Sequence, residues 1–235
     1  MKHTKRILGI ALMLVLALSC AVFAGCNTKS EVKGLNTNKT NSAASSAEES
    51  KAENSAMDKL PETGYKKPYT GSSKTVEIDV KDYGKITVAL DDTYAPLTVQ
   101  NFLNLVNEGF YDGLTFHRII SGFMIQGGDP QGTGMGGSEN QIKGEFSANG
   151  VENNLKHERG VISMARSNDM NSASSQFFIV HETSPHLDGK YASFGKVTSG
   201  MEVVDKIAST VKVEDSNGTV LKANQPVITS IKIVE

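Results

Sequence analysis

The sequence predicts a mainly β domain in which short strands form a closed or nearly closed barrel with two helices against it. Three observations carry that expectation. Polar and apolar side chains alternate twice near residue 80, two runs repeat at helical spacing, and Gly and Asn crowd the stretch between them, separating short apolar segments. In order, Val76, Ile78 and Val80 alternate with polar residues, as do Ile86, Val88 and Leu90 after a turn around Asp82-Tyr83-Gly84, which predicts two antiparallel strands. Pro96 suits a first helical turn, and Val99, Phe102, Leu103 and Val106 share one helix face until Gly109, a helix of about four turns. From Gly113 to about Ser175 the texture is strands and irregular loops. Phe177-Phe178-Ile179-Val180 and Ala192 to Val197 are short strands, Val203 to Ile207 a second helix, and Val227 to Val234 a closing strand.

The first 73 residues are a different material. Lys2, Lys5 and Arg6 precede an apolar run from Ile7 to Leu18, too short to span a membrane comfortably and ordered like an export signal. Phe23-Ala24-Gly25-Cys26 resembles the lipobox of bacterial lipoproteins, which implies cleavage before Cys26 and a lipid on that residue. The boundaries expected are 1–25 for the signal, 26–73 for a lipidated, disordered tether, and 74–235 for the folded domain. The tether is rich in Ser, Asn, Ala, Lys and Glu, a composition that cannot bury enough surface to offset its ordering entropy. Leu60-Pro61-Glu62-Thr63-Gly64 within it matches a sortase signal, but a domain follows where an apolar segment and basic tail would be needed. The expected location is the extracytoplasmic face of a bacterial membrane, lipid-anchored, with a monomer as the default.

The 235 residues are 38% hydrophobic and 21% charged, enough for one core. Cleavage before Cys26 removes three positive charges and no negative one, taking the formal net charge from −2 to −5, so nucleic acid is not expected as a partner. Cys26 would then be the only cysteine, which leaves stability to packing alone.

The chemistry concentrates in Phe116-His117-Arg118-Ile119-Ile120-Ser121-Gly122-Phe123-Met124-Ile125-Gln126-Gly127-Gly128-Asp129, followed by Gly132-Thr133-Gly134. One guanidinium, one amide and large apolar side chains in a single strand-loop segment describe a mostly apolar pocket with a few polar groups, as a small ring would require. This segment resembles the signature of cyclophilins. The likeness continues through Gly144-Glu145-Phe146, Ile162-Ser163-Met164-Ala165, Ser174-Ser175-Gln176-Phe177-Phe178-Ile179 and Leu187-Asp188-Gly189-Lys190, spanning nearly all of 74–235.

The resemblance implies a closed eight-stranded antiparallel barrel with two capping helices. It also implies peptidyl-prolyl cis-trans isomerase activity on proline-containing polypeptides, assisting the folding of exported proteins without a cofactor. Carried over by position, Arg118 matches the catalytic arginine and Gln126 the substrate-binding glutamine. Phe123, Met124, Phe178 and Leu187 match the proline pocket, and Ala165, Arg166 and Gln176 line the bound peptide. His117 and Tyr191 also fall on site positions. Many eukaryotic members carry Trp where His186 stands and His where Tyr191 stands, and Arg166 occupies a common Asn. That Trp belongs to the cyclosporin-binding surface, so weak cyclosporin affinity is expected. A peptide-binding module without turnover and a lipoprotein adhesin are the competing functions.

Other chemistries find little support. Gly132-Thr133-Gly134-Met135-Gly136-Gly137 fits a dinucleotide pattern but lacks the preceding strand and following helix, so its glycines are expected to serve a tight loop. His117, His157, His181 and His186 have no zinc-like spacing, and no metal is expected. Ser174 and Ser175 lack the strained turn of a serine nucleophile.

Overall fold

A computed structural model describes residues 65–235; the export signal, Cys26 and the Leu60 to Gly64 motif lie outside the described residues. Eight strands and two α-helices follow one another as β1 (Thr75–Val80), β2 (Gly84–Leu90), α1 (Pro96–Asn107), β3 (Thr115–Ile120), β4 (Met124–Asp129), β5 (Val161–Met164), β6 (Phe177–Val180), β7 (Ser193–Ser199), α2 (Met201–Thr210) and β8 (Ile228–Val234). They form one sheet in the order β3-β4-β6-β5-β7-β2-β1-β8, with every pairing antiparallel.

The sheet curls through 241° and does not close, which corrects the expected closed barrel. Its outer strands β3 and β8 share no ladder; an isolated Thr115–Val227 bridge joins β3 to the residue before β8. The reason lies in residues 217–227. They run along the free edge of β3, where Gly218 and Pro226 carbonyls accept the N–H groups of Ile119 and Phe116, and Val220 donates to the His117 carbonyl. Pro226 has no N–H to extend a ladder, so an irregular segment occupies the place of a strand.

Period-two alternation divides the apolar residues between two faces. In β6, Phe177 and Ile179 enter the main core, while Phe178 and Val180 join a smaller cluster with Met124, Val161 and Leu187. Inside the curl, Phe102 of α1 packs against Tyr111, Phe177 and Phe194 with ring centroids 5.1–5.5 Å apart. Val203, Val204, Ile207 and Ala208 form the buried stripe of α2.

Helix α1 ends near Gly109, as its spacing predicts, at 12 residues rather than four full turns. No side chain on the Ala95 cap serves its N-terminus. The buried Glu145 carboxylate accepts the N–H groups of Leu97 (3.0 Å) and Thr98 (2.8 Å) and the Thr98 hydroxyl (2.7 Å), placing negative charge at the positive end of the helix. Further along α1 dock residues 65–73, which composition assigned to the disordered tether. Tyr65 donates to Asn101 (2.5 Å), Tyr69 N–H donates to Asn104 (2.8 Å), and both tyrosine rings pack against the main core. Those contacts give the buried Asn101 and Asn104 of α1 their partners.

The hairpin β3–β4 departs from regular pairing in two places. Phe116 faces Gly127 and Arg118 faces Gln126, so His117 is an extra residue in β3. Phe116 and Ile119 consequently both reach the main core although they are three apart, and His117 and Arg118 both turn to the other face. One pair earlier Thr115 faces Asp129, leaving Gly128 as the compensating extra residue in β4. Gly128 has φ +84°, and a Cβ there would lie 2.5 Å from the Ser175 carbonyl oxygen. Gly128→Ala is expected to cost at least about 2 kcal/mol in urea unfolding, combining the strained φ with that clash. Wild-type stability in this variant would show that the bulge tolerates a side chain.

Candidate active site

On the outer face, where Phe178 and Met124 project, a cavity of about 370 Å³ opens between β3, β4 and the segment after β6. Phe123, Met124, Ala165, Phe178, Leu187 and Tyr191 supply its apolar wall, and His117, Arg118, Gln126 and Arg166 its polar groups. Every residue expected at the site lines it except Gln176. That residue lines a second cavity of about 380 Å³, which shares Gln126, Gly134, Ala165 and Arg166 with the first.

The polar groups are oriented in series. Asp129 accepts N–H groups from Gln131 (2.8 Å), Thr133 (2.9 Å) and Gly134 (2.6 Å), folding residues 131–137 around its carboxylate. Burial alone would push Asp129 up, but the backbone donors of Gln131, Thr133, Gly136 and Gly134 outweigh it and hold the carboxyl below its ordinary value. The glycine-rich stretch therefore wraps a carboxylate, as its expected loop role requires; a Cβ on Gly136 would collide with Asp129 Oδ1.

Gln176 Nε2 donates to the carbonyls of Gly134 (3.0 Å) and Gly136 (2.6 Å), so its Oε1 accepts from Gln126 Nε2 (2.9 Å). Gln126 Oε1 then accepts from Arg118 Nη1 (3.1 Å), while Arg118 Nε donates to the Asn217 carbonyl (2.8 Å). Each amide has one side that donates and one that accepts, so fixing Gln176 fixes Gln126, and Gln126 fixes the guanidinium. Nη2 of Arg118 has no protein acceptor among the described residues, the side chain lines the cavity, and Met124 Sδ lies 3.9 Å from Nη1. Burial lowers Arg118 from its ordinary value, yet a guanidinium begins so high that it stays a cation at neutral pH.

Two buried histidines support the wall. Neither ring nitrogen of His117 has a protein partner among the described residues, and burial pushes its pKa down. His157 stacks behind Phe178 with centroids 6.0 Å apart and 17° between the planes. Its Nδ1 lies 3.0 Å from Asp188 Oδ1 and its Nε2 3.0 Å from Ser163 Oγ. With Asp188 as acceptor, Nδ1 carries the proton and Nε2 accepts from the serine hydroxyl. Ser163 is fully buried, so this Ser-His-Asp contact meets no substrate; it fixes the ring behind Phe178. Burial pushes His157 down despite the opposing pull of Asp188. Ser175 donates to the Gly128 carbonyl (2.7 Å), and Ser174 lines the second cavity. His186 packs on Phe123 with ring centroids 5.3 Å apart.

Sequence reading missed Thr133, Gly134 and Thr219 in the first cavity and Asn217 behind Arg118. Thr133 and Gly134 stand within the signature segment but offer no distinctive side-chain chemistry. Thr219 and Asn217 are about a hundred positions from Arg118 and reach it only because their segment covers the edge of β3, a placement without a local signal.

Residues 75–234 match the family model "Cyclophilin type peptidyl-prolyl cis-trans isomerase/CLD". Peptidyl-prolyl cis-trans isomerase B of Bacillus subtilis is 48% identical over 149 residues, covering 63% of this chain and 95% of that protein. Peptidyl-prolyl cis-trans isomerase A of Dickeya dadantii is 40% identical over 183 residues, 74% of this chain and 92% of the relative. Among solved structures, a Cryptosporidium parvum cyclophilin type peptidyl-prolyl cis-trans isomerase crystallised in the presence of the dipeptide Ala-Pro matches with TM-score 0.60 and 34% identity, over 68% of this chain and 99% of that one.

The two depressed histidines set an acid sensitivity. An unfolded histidine titrates near pH 6.5, so below about that value the unfolded chain takes up protons that the folded chain refuses. Stability should fall as pH drops below about 6.5, and the loss is complete only below the folded-state values. Glu145, pushed up by burial against the pull of its donors, works in the opposite sense around its own range. The difference between wild type and His157→Gln therefore isolates the histidine, with a shallower decline in urea midpoint expected for the variant. Identical slopes would count against the assignment.

Proposed function

The chain belongs to the cyclophilin-type peptidyl-prolyl cis-trans isomerase family and has that enzyme activity, and on this premise we propose that Arg118 drives the reaction in an apolar proline pocket. The observation that carries the proposal is a cation lining the cavity beside Met124 and Phe178, with Nε and Nη1 held by protein acceptors and Nη2 without one among the described residues.

The barrier to rotation, about 18–20 kcal/mol, comes from amide resonance. As the bond twists, the prolyl nitrogen becomes pyramidal and gains a lone pair, which a guanidinium N–H can meet in the transition state and not in the planar ground state. An apolar wall favours the less polar twisted amide at the same time. Gln126 keeps the guanidinium from rotating away and is itself held by Gln176. No nucleophile, metal or cofactor enters the scheme.

We further propose that the substrates are exported proteins whose X-Pro bonds, interconverting unaided over tens to hundreds of seconds, limit their folding. In this reading the mature chain begins at Cys26, carries a lipid there, and works as a monomer from the outer face of a bacterial membrane at the end of its polar tether. Its support is the order of charged, apolar and small residues before Cys26. With His186 in place of Trp, cyclosporin binds weakly.

Two measurements test these proposals. Exchange NMR on a proline-containing peptide should show Arg118→Ala losing about 10²–10³ in kcat/KM, with Arg118→Lys in between because a point charge lacks the fork of donors. Undiminished turnover by Arg118→Ala would transfer the rate enhancement to the pocket alone. Mass spectrometry of membrane-extracted protein should find acyl mass on a chain starting at Cys26, whereas an unmodified chain cut elsewhere would remove the anchor.

A further inference from the structure

Arg166 stands on the ridge between the two cavities and lines both. Its guanidinium is clamped between two rings, 5.1 Å from the Phe146 centroid and 4.8 Å from that of Tyr191. Nε and Nη2 donate to the Lys190 carbonyl at 3.1 and 2.9 Å, and Nη1 donates to that of Ser167 at 2.8 Å. These contacts use one N–H of Nη2 and leave the other without an acceptor among the described residues. The side chain is thus held in place before any ligand arrives, with little rotamer freedom left to lose on binding.

Charge balance gives this position its meaning. No Asp or Glu lines either cavity, and Arg118 and Arg166 are the only charged side chains that do. His117 adds no positive charge at neutral pH, since burial holds it in the neutral form. Asp129 and Asp188 lie behind the walls, engaged by backbone N–H groups of residues 131–134 and by His157. The lining of the joined groove is therefore cationic; Asp215, outside it, is the acidic group that acts on Arg118. Arg118 faces the apolar pocket proposed to hold the proline, whereas Arg166 stands where the chain leaves that pocket for the second cavity.

We propose that Arg166 is a specificity-determining residue that makes this isomerase favour X-Pro segments carrying an Asp or Glu side chain beside the proline, the carboxylate pairing with the clamped guanidinium on the ridge. The inference rests on the proline occupying the first cavity, as set out above. A half-exposed pair of this kind contributes modestly and is weakened by salt, which defines the signature to look for.

The test is exchange NMR, which needs no helper protease, on peptide pairs that differ only by Glu or Gln within two residues of the proline on either side. At low salt the wild-type protein should turn over the better Glu peptide about three- to fivefold faster in kcat/KM than its Gln partner, chiefly through KM, and the ratio should approach 1 at about 0.5 M salt. Arg166→Gln should bring the Glu:Gln ratio to about 1, Arg166→Lys should keep part of it, and Arg166→Glu should reverse it. Equal wild-type rates for both partners in every pair, or a ratio that survives Arg166→Gln, overturn the inference and leave the isomerase reading intact. Absence of turnover of any peptide overturns that reading and this inference together.

Discussion

One extra residue in a strand decides where the chemistry can happen. Strict alternation along β3 would send Phe116 and Arg118 to the same side, and a guanidinium would enter an aromatic core. His117 has no partner in β4, so the parity changes between Phe116 and Ile119. Both of those side chains stay inside while His117 and Arg118 share the outer face. The compensating residue in the neighbouring strand must accept a positive φ and a close carbonyl, which only glycine does cheaply. The cavity, its cation and the glycines beneath it are consequences of a single register change.

Precision at the site comes from hydrogen bonds that the protein makes with itself. Asp129 takes the N–H groups of its loop, and the loop's carbonyls face Gln176. Two amides then pass that orientation to Arg118. Because an amide flipped at either step would set donor against donor, the chain has one sense, and it terminates in the only member that cannot accept. The apolar wall is held just as indirectly, with Phe178 resting on an imidazole fixed between a carboxylate and a hydroxyl. A pocket built this way keeps its geometry without relying on a ligand to organise it.

Much of this was legible in the sequence. The strands Val76 to Val80 and Ile86 to Leu90, the helix opened by Pro96 and the closing strand follow from periodicity, and the resemblance to cyclophilins brought together Arg118, Gln126 and the residues of the apolar wall. Three features escaped, each for a physical reason. An open edge on β3 depends on what Pro226 and Gly218 offer across the gap, a long-range matter that local alternation does not encode. Residues 65–73 have a polar, tether-like composition, yet two tyrosines and the asparagines of α1 suffice to dock them. Asn217 and Thr219 serve the site with a backbone carbonyl and a small side chain, groups that almost any loop could supply.

The pairing of β1 with β8 also governs the order in which the molecule can be completed. Residues 75–80 hydrogen-bond to residues 228–234, so the first strand lies between a neighbour made at once and one made last. A ribosome releases the hairpin β1–β2 long before its remaining partner exists, and one side of β1 must wait as an unpaired edge. Contacts of such sequence separation are slow to form, because loop closure comes before any gain. The nascent chain therefore has no finished sheet until β8 is free, so residues 228–234 act as a latch on the whole domain.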